Sequence, residues 1–251
     1  MQDRIVSPEE RLRLVESLIR DRGSVRIDEL ASEFRVSEMT IRRDLDELET
    51  LGVARRVRGG AIALGPEAFE ERHRTNARWK ARIAQKLLGV IPTTGAAAFD
   101  ASTTVYRAAA GIELARDLVV VTNGIDTFDV LTGKPGVEVA LTGGWREPRT
   151  GSLVGPLAVR TAESVLYDVF ITSAAAAHPR FGTSEATIDE SEVKRAFGRS
   201  SRKIVLAVDH SKLGNRSQAR LFEPGDIDVM VTDLEPEDDR LAPYRGRMRL
   251  L

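Results

Sequence analysis

At 251 residues, 42% hydrophobic and 30% charged, the chain has room for two globular domains and the composition of an ordinary soluble protein. It holds no cysteine and only three histidines, His73, His178 and His210, too scattered for a His-x-x-x-His pair, which excludes disulfides and thiolate metal sites and leaves neither a metal nor another cofactor to be expected. No apolar run approaches the roughly 20 residues of a membrane span and the first residues do not read as a signal peptide, so the expected setting is cytoplasmic.

The first predicted element is a helix opening at Ser7, Pro8, Glu9 and Glu10. Ser7 suits the cap, Pro8 the first helical position, and Glu10 the far side of a capping box. Leu12, Val15, Leu18 and Ile19 give this helix a core face, and Gly23 ends it. A second helix over residues 28–34 sets Leu30, Ala31 and Phe34 on one face. Only Arg35 and Val36 separate it from Ser37, the short turn of a helix-turn-helix. The third helix is capped by Ser37, carries a buried stripe at Ile41, Leu45 and Leu48, and is closed by Gly52 in the left-handed conformation. Its opposite face holds Met39, Arg43, Asp46 and Thr50, flanked by Thr40 and Arg42, so hydrogen-bonding groups of its first turns stand where a DNA major groove would be met.

Residues 53–62 then alternate briefly and turn at Gly59-Gly60, a β-wing whose Arg55, Arg56 and Arg58 would reach phosphates. Charge alone does not reveal this: by count, residues 1–60 hold 12 Arg against 13 Asp or Glu. The signal is placement, with basic groups at the front of the third helix and on the wing. Ser37, Thr40, Arg42, Arg43, Arg55, Arg56 and Arg58 are the expected DNA-binding residues; the bland alternative is a small helical domain that binds protein.

Leu64-Gly65-Pro66 reads as a hinge, and a charged helical segment follows over about 67–88, with Ile83, Ala84, Leu87 and Leu88 as its apolar part. The expected domains are residues 1–62, a linker at 63–75, and residues 76–251. In the last of these, short apolar runs recur at 96–99, 118–121, 137–141, 169–171, 204–208 and 227–231, separated mostly by helix-like stretches. Apolar strands alternating with helices predict an α/β domain with a mainly parallel sheet covered on both faces.

Each run ends in polar residues: Asp100, Thr122-Asn123, Thr142-Gly143-Gly144, Thr172-Ser173, Asp209 and Thr232-Asp233. In open parallel sheets ligands bind outside the carboxyl ends of the strands, so these groups would converge on one pocket. Single residues of this kind also serve merely to start turns or cap helices. Asp100, Ala101, Ser102, Thr103 and Thr104 lead from a strand into a helix over 105–110, a junction that would cradle a phosphate or form an ordinary Ser/Thr cap. Asp209, His210, Ser211 and Lys212 add a lysine for the same phosphate and a carboxylate for sugar hydroxyls, unless Lys212 is only a surface turn residue. Together the two loops describe a ligand with an anionic end and a polyol body.

The chain resembles the DeoR family of transcriptional regulators over nearly its whole length. The resemblance rests on Glu29-Leu-Ala31, Val36-Ser37, Thr40-Ile-Arg-Arg-Asp-Leu45, Leu48-Glu49 and Arg56-Val-Arg-Gly-Gly-Ala61, and then on Asp100 with Thr103-Thr104, Val121-Thr-Asn123, Gly143-Gly144, Gly155, Asp168, Gly182, Glu190 with Val193-Lys194, and Asp209 with Ser211-Lys212. It implies a winged helix-turn-helix joined to a sensor domain similar in fold to ribose-5-phosphate isomerase and the CoA transferases, with a phosphorylated sugar or related metabolite as effector. From the strand ends and the resemblance together, the expected effector residues are Asp100, Ser102, Thr103, Thr104, Thr122, Asn123, Gly143, Gly144, Glu190, Asp209 and Lys212. Two departures stand out: Ser102 replaces a family glycine, where its Cβ would penalise positive φ, and Ala174-Ala-Ala-Ala177-His178-Pro179 replaces a glycine-bearing loop, with His178 as a further pocket candidate.

The expected function is a non-enzymatic repressor of a carbohydrate operon, acting on operator double-stranded DNA as a homodimer or homotetramer away from membranes. The alternative is a sugar-phosphate isomerase or CoA transferase-like enzyme with an accessory DNA-binding domain. The sequence has no loop with the paired carboxylates and lysine that such an isomerase would need at matching spacing.

Overall fold

The computed structural model describes residues 7–51, 53–63 and 69–251, so the expectations for Gly52 and for the Leu64-Gly65-Pro66 hinge fall outside the described residues. The chain divides into two compact units, Met1–Ala68 and Phe69–Leu251.

In the first unit the helices α1 (Pro8–Arg22), α2 (Ile27–Phe34) and α3 (Glu38–Thr50) are joined by a short strand β1 (Ser24–Arg26) and followed by β2 (Ala54–Val57) and β3 (Gly60–Ala63). The Ser7, Gly23 and Ser37 caps form, but of the expected Ser7–Glu10 capping box only the Ser7 half is made among the described residues. The hydroxyl of Ser7 accepts from the Glu10 N–H, Pro8 takes the first helical position, and Gly23 at φ 77° donates its N–H to the Ile19 carbonyl. Ser37 Oγ accepts from the Thr40 N–H, leaving α3 to end at Thr50 with Leu51 as its cap. Between α2 and α3 the turn is made by Arg35 in the left-handed conformation, φ 53°. Val15, Ile19, Leu30, Ile41, Leu45 and Leu48 close the core with Leu12, Leu18, Ala31 and Phe34 packed against it. Arg11 and Asp44 tie α1 to α3 through a buried two-bond ion pair, Nε to Oδ2 at 2.6 Å and Nη2 to Oδ1 at 3.1 Å.

The three strands form an antiparallel sheet in the order β1-β3-β2. The wing turns one residue earlier than the sequence reading placed it: Val57 pairs with Gly60, so Arg58 and Gly59 are the loop. Gly60 is instead held to glycine by its neighbour, because a Cβ there would lie 2.0 Å from the Val25 carbonyl oxygen of β1.

The second unit begins with two helices, α4 (Phe69–Arg74) and α5 (Ala77–Leu88), and then alternates strand and helix: β4 (Thr94–Phe99), α6 (Thr103–Ala110), β5 (Asp117–Thr122), α7 (Ile125–Leu131) and β6 (Val137–Leu141). A small hairpin, β7 (Trp145–Arg146) with β8 (Leu153–Val154), leads into α8 (Pro156–Glu163), β9 (Val169–Thr172), and a second hairpin of β10 (Ala176–His178) and β11 (Gly182–Glu185). Helix α9 (Ile188–Arg199), β12 (Ile204–Ala207), β13 (Ala219–Arg220), β14 (Val229–Val231) and β15 (Arg249–Leu250) complete it. The segment expected as a linker up to residue 75 is, from Phe69 onward, part of this unit.

All six apolar runs lie in one seven-stranded sheet of order β15-β14-β12-β9-β4-β5-β6, in which every neighbouring pair is parallel. The seventh strand, β15, is too short and polar to have carried a periodic signal. Alternate residues feed the two faces: Ala98, Phe170 and Leu206 pack with α8 and α9 residues such as Ala158, Ala162, Val193 and Phe197. Ala97, Phe99, Ile171 and Val205 pack with Ile83, Leu87, Val105 and Ala108 of α5 and α6. Each fully buried side chain of this size, Phe99 and Phe170 among them, contributes about 1.5–3 kcal/mol of transfer free energy. The strand order runs outward from β4 through β5 to β6 on one side, and from β9 through β12 to β15 on the other. It therefore reverses between β4 and β9, and that crevice is where ligands enter this type of sheet.

Candidate functional site: a recognition helix and a charged strand-end pocket

On the first unit, the face of α3 opposite its buried stripe is open: Met39 is 60% exposed, and Arg42, Arg43, Asp46 and Thr50 are exposed with it. Ser37 and Thr40 share a hydroxyl–hydroxyl bond of 2.9 Å at the start of the helix. Arg42 leans back on Glu38 of its own helix at 3.1 Å. On the wing, Arg55 and Arg58 are exposed. Arg56 is placed differently from its sequence reading: its guanidinium bonds the Arg42 carbonyl at 3.0 Å and the Asp46 carboxylate, while its backbone N–H donates to Glu49 at 2.8 Å. It ties the wing to α3 through Nη1 and its backbone N–H, while Nε has no partner among the described residues.

In the second unit the strand-end residues do come together around the crevice. Asp100, fully buried after β4, accepts from the Ser102 N–H at 2.9 Å, the Thr172 hydroxyl at 2.9 Å and the Ser173 N–H at 2.8 Å. Lys194 of α9 lies 2.9 Å from the same carboxylate and 2.6 Å from Glu185 Oε1, and donates to the Ser173 carbonyl at 3.1 Å. An ammonium has three donors, and here all three have acceptors. Burial alone would raise the Asp100 pKa, but the Lys194 charge and the Ser102 and Ser173 bonds override it and hold it below the ordinary carboxylate value. Burial pulls Lys194 down, and Asp100 with Glu185 more than reverses that, keeping the amine charged. Glu185 is raised, because burial outweighs its share of that one cation. A saturated, firmly protonated lysine is a poor proton donor or acceptor, so this cluster cross-links β4, β9 and β11.

Ser102 answers the question its sequence position raised. Its backbone is extended, φ −80° and ψ 148°, so no positive φ is needed and its Cβ costs nothing; its hydroxyl caps α6 by accepting from the Val105 N–H at 3.3 Å. Thr103 and Thr104 are buried beside it. Thr122 Oγ1 accepts from the Gly124 N–H at 3.1 Å. Asn123 donates from Nδ2 to the Leu153 carbonyl at 3.2 Å, leaving its side-chain Oδ1 buried without a partner among the described residues. Gly144, at φ 117°, has to be glycine, since a Cβ would sit 2.5 Å from the Val154 carbonyl oxygen. Gly143 beside it has φ 71°. Glu190 accepts from the Ser152 hydroxyl at 2.9 Å.

Across the crevice, Asp209 starts a short 3-10 turn whose Ser211 N–H and hydroxyl both bond its Oδ1, while its Oδ2 is buried with no hydrogen-bond partner among the described residues. Lys212 reaches over β9 to the Ala174 carbonyl at 2.7 Å and the Ser173 hydroxyl at 3.3 Å. Burial lowers its pKa, with Asp209 and Glu185 opposing. Lys212 is thus half-buried and turned inward onto β9 rather than a free surface turn residue, and the alanine loop contributes the carbonyl that holds it. His178 is elsewhere: its Nδ1 accepts from the Arg180 and Phe181 N–H groups, 3.1 and 3.3 Å away, which spends it on the β10–β11 turn.

Sequence reading gave no site role to three buried charges here, although Lys194 stood among the residues carrying the resemblance. Glu185 gave no signal, because β11 was not expected. Lys194 and Lys80 did give one: each occupies the apolar stripe of its helix, Lys80 with Ile83, Ala84 and Leu87 at i+3, i+4 and i+7, and a lysine in a buried stripe has to be held by something. A shallow hollow lined by Arg195, Ser201, Phe222 and Asp228 lies at the amino ends of β12 and β14, away from all of these groups.

A winged helix-turn-helix and a parallel α/β unit with a hydroxyl- and charge-lined crevice at its switch point, in one chain, define a ligand-sensing transcriptional regulator. Two family models match accordingly, the DeoR-like helix-turn-helix domain over residues 11–67 and the DeoR C terminal sensor domain over residues 75–234. The HTH-type transcriptional regulator GolR of Listeria innocua is 30% identical over 90% of this chain and 91% of its own length. The glycerol-3-phosphate regulon repressor of Escherichia coli K12 is 29% identical over 87% of this chain and 88% of its own. Among solved structures, ribose 5-phosphate isomerase A of Methanocaldococcus jannaschii overlaps 55% of each chain at 10% identity and a TM-score of 0.41. The chain belongs to the DeoR family of transcriptional regulators. No helix among the described residues is long and apolar enough to cross a membrane.

Proposed function

We propose that this regulator represses a carbohydrate-catabolic operon and that a phosphorylated sugar or polyol in the strand-end crevice changes its affinity for operator DNA. The observation that carries the reading is the gathering of Asp100, Ser102, Asp209 and Lys212 at the switch point of the sheet, two of the carboxylate and carbonyl oxygens there, Asp209 Oδ2 and Asn123 Oδ1, being buried with acceptor capacity to offer a ligand hydroxyl. The half-buried Lys212 suits the phosphate, and the α6 amino terminus adds its free N–H groups. The name of the glycerol-3-phosphate regulon repressor, a full-length relative, points to the same ligand chemistry.

On the DNA side, Thr40, Arg42 and Arg43 read bases or adjacent phosphates, and Arg55 and Arg58 take the backbone. Arg56 supports them by fixing the wing. Residues 1–62 serve DNA and residues 76–251 the effector; the protein works in the cytoplasm as a homodimer or homotetramer, since two recognition helices on a near-palindromic site gain specificity that one lacks. A non-enzymatic role is supported by the regulators it resembles along most of its length, and by Lys194, whose charge is held by two carboxylates and which is therefore unsuited to acid–base work.

The test is thermal unfolding across a panel of sugar and polyol phosphates and their unphosphorylated parents. A ligand bound by the native state raises stability by RT ln(1 + [L]/Kd). A rise confined to phosphorylated compounds and lost in Lys212→Ala supports the reading. A rise with unphosphorylated sugars alone refutes the phosphate, and catalytic loss of any panel compound, followed by NMR, restores the isomerase alternative.

A further inference from the structure

Helix α4 and the start of α5 lie against the crevice rather than apart from it. Asn76, between the two helices at φ 57°, donates from Nδ2 to Asp209 Oδ1 at 3.4 Å and to the Ser211 hydroxyl at 3.3 Å, and its carbonyl accepts the Lys80 N–H at 3.0 Å. The side chain of Lys80, only 5% exposed, donates from Nζ to the backbone carbonyl of Arg72. The Arg107 guanidinium, from α6, donates to the His73 carbonyl at 2.8 Å, and the Arg72 guanidinium donates to the Thr150 carbonyl at 3.1 Å. Cationic side chains therefore fasten the last turn of α4 by its carbonyls, next to the loop that carries Asp209 and Lys212.

This arrangement is unbalanced. Burial pulls the Lys80 amine down to about 8, and the positive charges of Lys212, Arg72 and Arg107 push the same way, opposed by Asp209. Lys194 has two carboxylates within 3 Å; Lys80 has a neutral carbonyl. The Arg72 carbonyl that holds Lys80 also lies 3.5 Å from the Thr103 hydroxyl at the start of α6, so a buried lysine with only a neutral hydrogen-bond partner stands beside the phosphate-cradling junction, a setting that a bound anion would relieve.

We propose that Lys80 is a second phosphate-binding lysine beside Lys212, and that a bound phosphate ester, by neutralising the repulsion of Lys80 with Lys212 and Arg107, tightens the hold of Lys80 on the Arg72 carbonyl and so pins α4. The proposal rests on the sensor reading above and adds to it a residue and a route. Helix α4 is the first described helix after the DNA-binding unit in the chain, so the occupancy of the crevice is felt where the two units are joined in sequence.

The full-length protein is tested with inorganic phosphate as the probe, against chloride at equal ionic strength, by thermal unfolding and by hydrogen exchange of the backbone amides of residues 70–76. Phosphate is expected to raise the unfolding temperature of the wild type and to slow exchange in that segment at least threefold. In Lys80→Met both responses are lost, while Lys80→Arg, which keeps the charge, retains a thermal response. Lys80→Met that unfolds cooperatively and still responds to phosphate like the wild type overturns the proposal, as does wild-type exchange at 70–76 that phosphate does not change. Glycerol 3-phosphate, run in parallel, separates the two claims: stabilisation by it in both wild type and Lys80→Met leaves the sensor reading standing and removes only Lys80, whereas no response of the wild type to either compound removes both.

Discussion

The two units solve the problem of presenting charge in opposite ways. On α3 and the wing the arginines proposed to meet DNA, Arg42, Arg43, Arg55 and Arg58, are exposed and come from one continuous stretch, so water satisfies them and they add little to the cost of folding. In the crevice the charges are buried and drawn from strands, helices and loops far apart in the chain, so each must be paired within the protein or left strained for a ligand. Lys194 and Lys80 mark the two outcomes: one is matched by Asp100 and Glu185, the other is held by a carbonyl alone. An exposed recognition surface can be edited with little effect on stability; the sensor site cannot.

The sharpest way to break this comparison is Asp100→Ala. It removes one of two carboxylates from a buried lysine and leaves the Ser102 and Ser173 N–H groups unpaired, so the second unit should lose about 3–5 kcal/mol in denaturant unfolding. A loss under 1 kcal/mol would mean that the cluster is far more hydrated than its burial implies.

Lys80→Met should act in the other direction. The folded-state value of about 8 lies below the ordinary 10.5, so at pH 7 the amine is protonated in both states and carries its full burial cost. Between pH 8 and 10.5 only the unfolded chain keeps the proton, and wild-type stability rises with pH through that window, by at most about 3 kcal/mol for the whole shift. The variant should accordingly be the more stable protein near neutrality, with an advantage that shrinks as pH climbs toward 10.5. A stability difference that is flat from pH 7 to 10 contradicts the strained-lysine account.

Smaller effects belong to the exposed surface. Arg43→Ala should leave thermal stability within about 0.5 kcal/mol of wild type while reducing discrimination between matched and mutated operators by about 1–3 kcal/mol, as expected of a bidentate base contact. Arg55→Ala should weaken binding to all sequences alike and lower the salt slope by about 1. Equal loss on every sequence for Arg43→Ala would make it a phosphate contact instead.

Periodicity and punctuation made the winged helix legible almost residue by residue, because Ser7, Gly23 and Ser37 act locally and the stripes of α1 and α3 face a single core. The six apolar runs likewise revealed the sheet, since a strand buried on both faces has to be apolar throughout. What stayed hidden was tertiary. Nothing local distinguishes Arg56, which bonds α3, from Arg55 and Arg58, which face solvent. The strand order, which sets β9 between β4 and β12 and so brings Asp100 and Asp209 to the same end of one sheet, is not written in any local pattern, and the hairpin carrying Glu185 is too short for one. Lys80 was readable only as an anomaly, a charge in an apolar stripe whose purpose depends on a loop more than a hundred residues away.

The most direct test of sensing is the affinity of the full-length protein for a duplex selected on it from random DNA, measured at fixed salt with and without a saturating amount of the phosphorylated compound that stabilises it most. The account predicts a change in Kd of at least about fivefold, the lower end of ordinary coupling between sites, that disappears in Lys212→Ala. An unchanged Kd at saturation would contradict it, because a ligand bound equally well by the DNA-competent and DNA-free states shifts nothing.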